Sequence, residues 1–480
     1  MPFNSIQFLI FFPIVIILYF SIPHKYRWAM LLAASYYFYM CWNAAYIILI
    51  IISTLVAYTS GLWISKAKDY KQKRHALLLS LIINLGILFI FKYFNFFVNN
   101  LQKLLTYINI NIPLPYLNIV LPVGISFYTF QALSYSIDVY KGEKKPERHL
   151  GIFSLYVAFF PQLVSGPIER STHLLPQFFE KHRINYKRIK NGLLLMLWGF
   201  FKKLVIADRT AILVNQVYNH AHEYTGIPLI TATIFFAFQV YCDFSGYSDI
   251  AIGAAETMGF DLIKNFNRPY FSKSITELWR RWHISLSTWI QDYLYIPLAI
   301  KFRYYGTAGT ITALLISFSL IGLWHGAKWT FIIFGAFHGT LISIETLTRK
   351  IRKNISKRIP AWIFNPISIL TTFIIWCLSI IFFRANSLND AIYIISHLLK
   401  SIELKTSGYN MGLGPAETLT AIFFISFLMG VEIFQAKGSI RAWIDKQPIY
   451  IRWTLYYGLI FCILIFGKIE SSMEFVYFQF

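Results

Sequence analysis

The stretch Asn265–Pro297, NFNRPYFSKSITELWRRWHISLSTWIQDYLYIP, sets Arg268, Glu277, Arg280, Arg281, His283 and Asp292 between apolar runs that carry almost no charge. Charge in such surroundings needs a reason, because an ionised side chain taken out of water is costly unless it is paired. Ser274 and Glu277 have the spacing of a capping box, in which each side chain satisfies a free backbone N–H at a helix start. A helix is therefore predicted from about Ile275. On it Trp279, His283 and Ser287 recur every four residues and share a face, Trp282 lies beside that stripe, and Arg280 points elsewhere. The pattern predicts an imidazole displayed among indoles and a hydroxyl at membrane depth.

Outward from this stretch the chain is apolar. Of 480 residues, 56% are hydrophobic and 14% charged, and the mean hydropathy is +0.53, which excludes an ordinary soluble protein. Apolar runs of spanning or near-spanning length recur from end to end, about eleven with one or two re-entrant. The expectation is an all-α, polytopic protein of the cell (inner) membrane, forming a single domain over residues 1–480. Ile6–Ile22 reads as a retained span, since no basic leader with a small-residue cleavage site precedes it. Ile119–Tyr140 opens with Leu-Pro-Val-Gly and suggests a helix entering at Pro122. Leu150–Glu169 contains Pro161, Gly166 and Pro167 and predicts a broken or re-entrant element.

The net charge of +22 sits in short loops such as 66–74, 181–190 and 349–358. This is the pattern of cytoplasmic loops against an anionic lipid surface, not of nucleic-acid binding. Cys41, Cys242, Cys377 and Cys462 stand singly, with no disulfide framework and no metal spacing. His220 and His222 fall in a polar loop without further ligands in view, so no metal is expected.

A second polar island, GLWHG over Gly322–Gly326, joins two apolar runs. Glycines on either side of Trp324 and His325 allow close approach of another backbone or a ligand. A neutral imidazole there can take a proton from an alcohol, a role that contributes about 10²- to 10⁴-fold in rate. The plain alternative is a buried histidine bonded to a carbonyl; a second histidine, His283, favours function. His338, thirteen residues after His325, would face nearly the opposite way on an unbroken helix and is read as structural. Asp243 and Asp249 lie in an apolar run and need cations, which Arg268, Arg280 or Arg281 could supply as a structural charge network.

Five motifs in order then resemble the membrane-bound O-acyltransferase family: LPVGISFYTFQ (121–131), FFPQLVSGPIE (159–169), DFSGYSD (243–249), WRRWH (279–283) and LWHG (323–326). The resemblance is strongest to the branch that O-acetylates bacterial alginate. It implies a helical bundle around a central tunnel, with the histidine-bearing core at about 119–347, and no bound cofactor. It implies a cytoplasmic thioester donor, acetyl-CoA, and an extracytoplasmic polysaccharide acceptor, reached directly or through an extracytoplasmic partner acetyltransferase. By motif match His325 takes the catalytic position and His283 the second one, with Trp279, Trp282, Trp324 and Ser287 as tunnel-lining candidates. Two other readings remain open: D-alanyl transfer to teichoic acid from a carrier-protein thioester, and a transporter or flippase marked by its intramembrane charges.

Overall fold

A computed structural model describes residues 1–400, 411–468 and 475–476, and among these the regular structure is helical throughout, with no strand. Among the described residues, eight helices are long and apolar enough to cross a membrane, and Ile6–Ser21 is a shorter apolar one. The chain is an all-α polytopic membrane protein. It forms two compact units, one of Met1–Leu193 with Ala251–Ile263 and one of Leu194–Ile250 with Lys264–Gln479.

In the first unit, helices Ile47–Lys66, Tyr70–Leu88 and Ile125–Lys141 pack on one another through small and hydroxyl side chains. Ser80 and Ser136 share a hydrogen bond of 2.9 Å, and Ser60 donates to the Ala76 carbonyl at 2.8 Å. Such contacts suit helices in lipid, where shape and interhelical hydrogen bonds must replace the hydrophobic drive. The helix expected at Pro122 begins at Ile125 instead, because Gly124 adopts φ 77°, a left-handed conformation that only glycine enters freely. A side chain at Gly124 would also strike the Leu163 carbonyl at 2.7 Å.

The break expected in Leu150–Glu169 is present. Helix Leu150–Ala158 stops at Phe159, and a single turn, Phe160–Leu163, restarts the chain with Pro161 in its first turn. The freed polar groups find partners: Phe160 N–H donates to Ser35 Oγ at 3.0 Å, and the Gln162 amide donates to the Tyr156 carbonyl at 2.8 Å. Broken helices are tolerated at membrane depth on this condition.

In the second unit, Gly306–His325 and Trp329–Leu347 form a hairpin around Gly326. Their axes approach closely because glycines face carbonyls. A Cβ at Gly322 would lie 2.1 Å from the Phe331 carbonyl oxygen, and one at Gly335 the same distance from that of Phe318. This hairpin fixes where His325 emerges. Replacing Gly322 by Val should therefore force the two helices apart and destabilise the protein by about 3 kcal/mol, at the upper end of overpacking costs. Thermal melting of the detergent-purified variant checks this; a wild-type melting temperature would contradict the packing.

Candidate active site

The polar stretch builds a turn, not one long helix. Ser274 Oγ accepts from Glu277 N–H at 3.0 Å, so the helix starts at Ile275 as its capping residues predict. It ends at Arg281 after seven residues. Trp282 is extended, and His283 occupies the left-handed region at φ 43° before a second short helix, Ile284–Ile290. The expectation that Trp279, His283 and Ser287 share one helical face is thus corrected.

Asn265 holds the turn. Its carbonyl accepts from Ile284 N–H at 2.9 Å, its Oδ1 accepts from Ser285 Oγ at 2.6 Å, and its amide donates to Ser248 Oγ at 3.1 Å. The Arg281 carbonyl accepts from Asn267 N–H at 2.9 Å. A non-glycine residue at positive φ is uncommon, and persists where surrounding contacts over-determine it. Four such bonds do so here.

The turn sorts the predicted residues into two places. Trp279 and Trp282 wall a narrow cavity beside His325, together with Val240, Phe334, Trp376, Ile380 and Phe383. His283, fully buried, lies outside that wall, its ring 4.6 Å from Phe244 and 5.8 Å from Trp324 between centroids. Trp324 in turn lies 5.0 Å from His325, so the indole contacts both imidazoles. Ser287 donates to the Trp282 carbonyl at 3.2 Å and braces the turn. His325 is the one titratable side chain among the residues lining the cavity.

The charge network also differs from expectation. Asp243 is bound by Lys203 at 2.7 Å, and the same ammonium reaches Asp208 at 2.9 Å. Lys202 binds Asp249 at 2.7 Å and donates to Ser245 Oγ at 2.8 Å. The arginines serve elsewhere: Arg281 pairs with Glu277 at 2.7 Å one helical turn away, and Arg280 is exposed. Lysines win because they sit on Phe201–Ala207, a π-helical stretch packed against Ile227–Met258 where Gly199 and Gly246 let the backbones close. Two lysines in an apolar run carry the same signal that singled out Asp243 and Asp249, with opposite sign. Tyr241 donates to Glu432, an acid on helix Pro415–Gln435.

The other histidines singled out in the sequence, His220, His222 and His338, each have a hydrogen-bond partner. His222 pairs with Asp390 at 3.1 Å, and His220 bonds the Gln216 carbonyl at 3.0 Å. Among the described residues no cluster of His, Cys, Asp and Glu could hold a metal ion. His338 is buried with Nε2 3.0 Å from Ser379 Oγ.

The chain is thus a multi-pass helical membrane protein in which the His325 imidazole lines an aromatic cavity. Residues 149–384 match the profile of the membrane-bound O-acyltransferase family, a range holding both His283 and His325. The chain is 40% identical to a probable alginate O-acetylase AlgI of Azotobacter vinelandii over 398 residues, covering 82% of this chain and 76% of that one. It is 33% identical to a peptidoglycan O-acetyltransferase of Helicobacter pylori, covering 94% and 91%. A teichoic acid D-alanyltransferase of Streptococcus thermophilus is 32% identical over a shorter stretch, 49% of this chain and 59% of that one. The chain belongs to the membrane-bound O-acyltransferase family and is an O-acyltransferase, which sets the carrier reading aside.

The two kinds of ion pair make opposite predictions. Lys203→Met strands two buried carboxylates and should cost about 3–5 kcal/mol. Arg281→Ala breaks a half-exposed pair worth less than about 1 kcal/mol. Folded yield and melting temperature of the two variants should rank in that order, and an Arg281 variant that loses more would reverse the assignment.

Proposed function

We propose that this O-acyltransferase moves an acetyl group from a cytoplasmic thioester, acetyl-CoA, to hydroxyls of an extracytoplasmic polysaccharide, directly or through an extracytoplasmic partner transferase. The observation that carries the reading is the small aromatic cavity beside His325. Its lining is aromatic and aliphatic apart from the His325 imidazole, a setting that suits the acyl end of a donor held beside a base. The relatives' names, an alginate O-acetylase and a peptidoglycan O-acetyltransferase, support acetyl as the group and a polymer as the acceptor.

In this reading the His325 imidazole accepts the proton of the attacking hydroxyl as its oxygen bonds to the thioester carbonyl carbon. The tetrahedral centre collapses, the C–S bond breaks, and the departing thiolate takes the proton from the imidazolium. No proton is gained or lost overall. Aromatic walls exclude water, which would otherwise hydrolyse the thioester. His283 acts one ring further out: through Trp324 it holds the indole against which His325 rests.

His325→Ala should lower acetyl transfer by about 10²- to 10⁴-fold with a near-wild-type melting temperature, measured with labelled acetyl-CoA and purified protein in lipid nanodiscs. A folded, fully active variant would remove His325 from the chemistry. Labelled D-alanyl carrier-protein thioester, run beside acetyl-CoA, tests the second donor, which the shorter Streptococcus match favours.

His283 separates backbone from side chain. Asparagine enters the left-handed region more readily than alanine does. His283→Asn should therefore keep the fold and part of the turnover, whereas His283→Ala adds backbone strain of about 1 kcal/mol or more to the loss of the ring. Equal turnover in both variants and wild type would make His283 a core residue only.

A further inference from the structure

Helix Trp329–Leu347 carries His338, fully buried, toward the same aromatic cluster that His325 enters. Phe334 lies 4.7 Å from His338 and 6.2 Å from His325 between ring centroids. The hairpin at Gly326 defeats the opposite-face expectation, because the two histidines stand on different helices. His338 also meets two cavity walls from behind, Trp279 at 5.3 Å and Trp376 at 5.6 Å.

Its hydrogen bonding fixes its tautomer. Ser379 Oγ donates its one proton to the Trp376 carbonyl at 2.7 Å, so toward His338 it can only accept. The His338 Nε2 therefore carries the proton and Nδ1 keeps a lone pair. That Nδ1 is buried with no hydrogen-bond partner among the described residues. An apolar side chain would fill the space without burying an unused acceptor. What the imidazole adds is the bond to Ser379, one turn of helix from Trp376. On that helix Trp376, Ile380 and Phe383, spaced four and three apart, all face the cavity.

We propose that His338 is a positioning residue that, through Ser379 and Trp376, sets the size of the cavity beside His325 and so the acyl group it admits. This rests on the acyl-transfer reading above. One methylene in an apolar pocket discriminates substrates by about 10- to 200-fold, so a small shift of Trp376 reads out as altered choice of donor.

The test compares acetyl-, propionyl- and butyryl-CoA with the full-length protein in nanodiscs, measuring kcat/KM for each. His338→Ala should raise the propionyl-to-acetyl ratio about tenfold, within the range one methylene spans. His338→Gln, whose amide can donate to Ser379, should bring the ratio back toward wild type. Ser379→Ala removes the same bond with little change of volume and should shift the ratio in the same sense; it decides the matter if His338→Ala does not fold. A uniform fall in rate with an unchanged ratio, or a glutamine variant no better than alanine, overturns the proposal and leaves the acyl-transfer reading intact. A wild-type protein inert toward every thioester overturns both.

Discussion

Asn265 gripping the turn at Trp282–Ser285 is the interaction on which the site depends. Its carbonyl, its Oδ1 and its amide each make a bond, and together they hold His283 at φ 43°. With a regular helix in place of this turn, His283, four residues after Trp279, would share its face instead of lying against Phe244 and Trp324. The turn lets two tryptophans three residues apart serve one wall while the next residue points behind it. Backbone strain of this kind, about 1–3 kcal/mol per residue, persists only where neighbouring bonds enforce it.

Those neighbouring bonds need a firm support, and helix Ile227–Met258 supplies one through Ser248, which accepts from the Asn265 amide. The same helix carries Asp243 and Asp249, bound to Lys203 and Lys202. Buried ion pairs are poor sources of net stability, since desolvation offsets most of the attraction, but breaking one is expensive. Their effect here is to fix one register between the lysine-bearing π-helical stretch and the helix that presents Val240 and Phe244 to the site. A wholly apolar contact between these helices would allow sliding; paired charges do not.

How far the sequence reveals this varies with the kind of signal. The apolar runs, the capped start at Ile275, the break near Pro161 and the close-packing glycines beside His325 were all legible, because each rests on local chemistry. The turn at His283 was not. Nothing in WRRWH marks a left-handed residue, and the bonds that enforce it come from Asn265, eighteen positions earlier. The partners of Asp243 and Asp249 are hidden for a related reason: proximity in sequence to a polar stretch favours the arginines, whereas Lys203 and Lys202 stand 40 and 47 residues upstream of those acids inside an apolar run. Trp376 and Ser379 gave no polar signal at all, being ordinary members of a spanning helix until the fold brings them to the cavity.

The composition of the cavity wall follows from what an acyl transfer must avoid. A thioester in water faces hydrolysis, and a base surrounded by other ionisable groups shares its proton with them. Here one imidazole meets a wall of indole, phenyl and aliphatic groups, while Asp208, Asp243 and Asp249 are paired with Lys202 and Lys203. Low polarity strengthens every electrostatic interaction within the cavity and removes competing acceptors for the proton. The charges and the cavity are therefore two halves of one arrangement. Pairing the buried charges among themselves leaves His325 as the one titratable group among the residues that line the cavity.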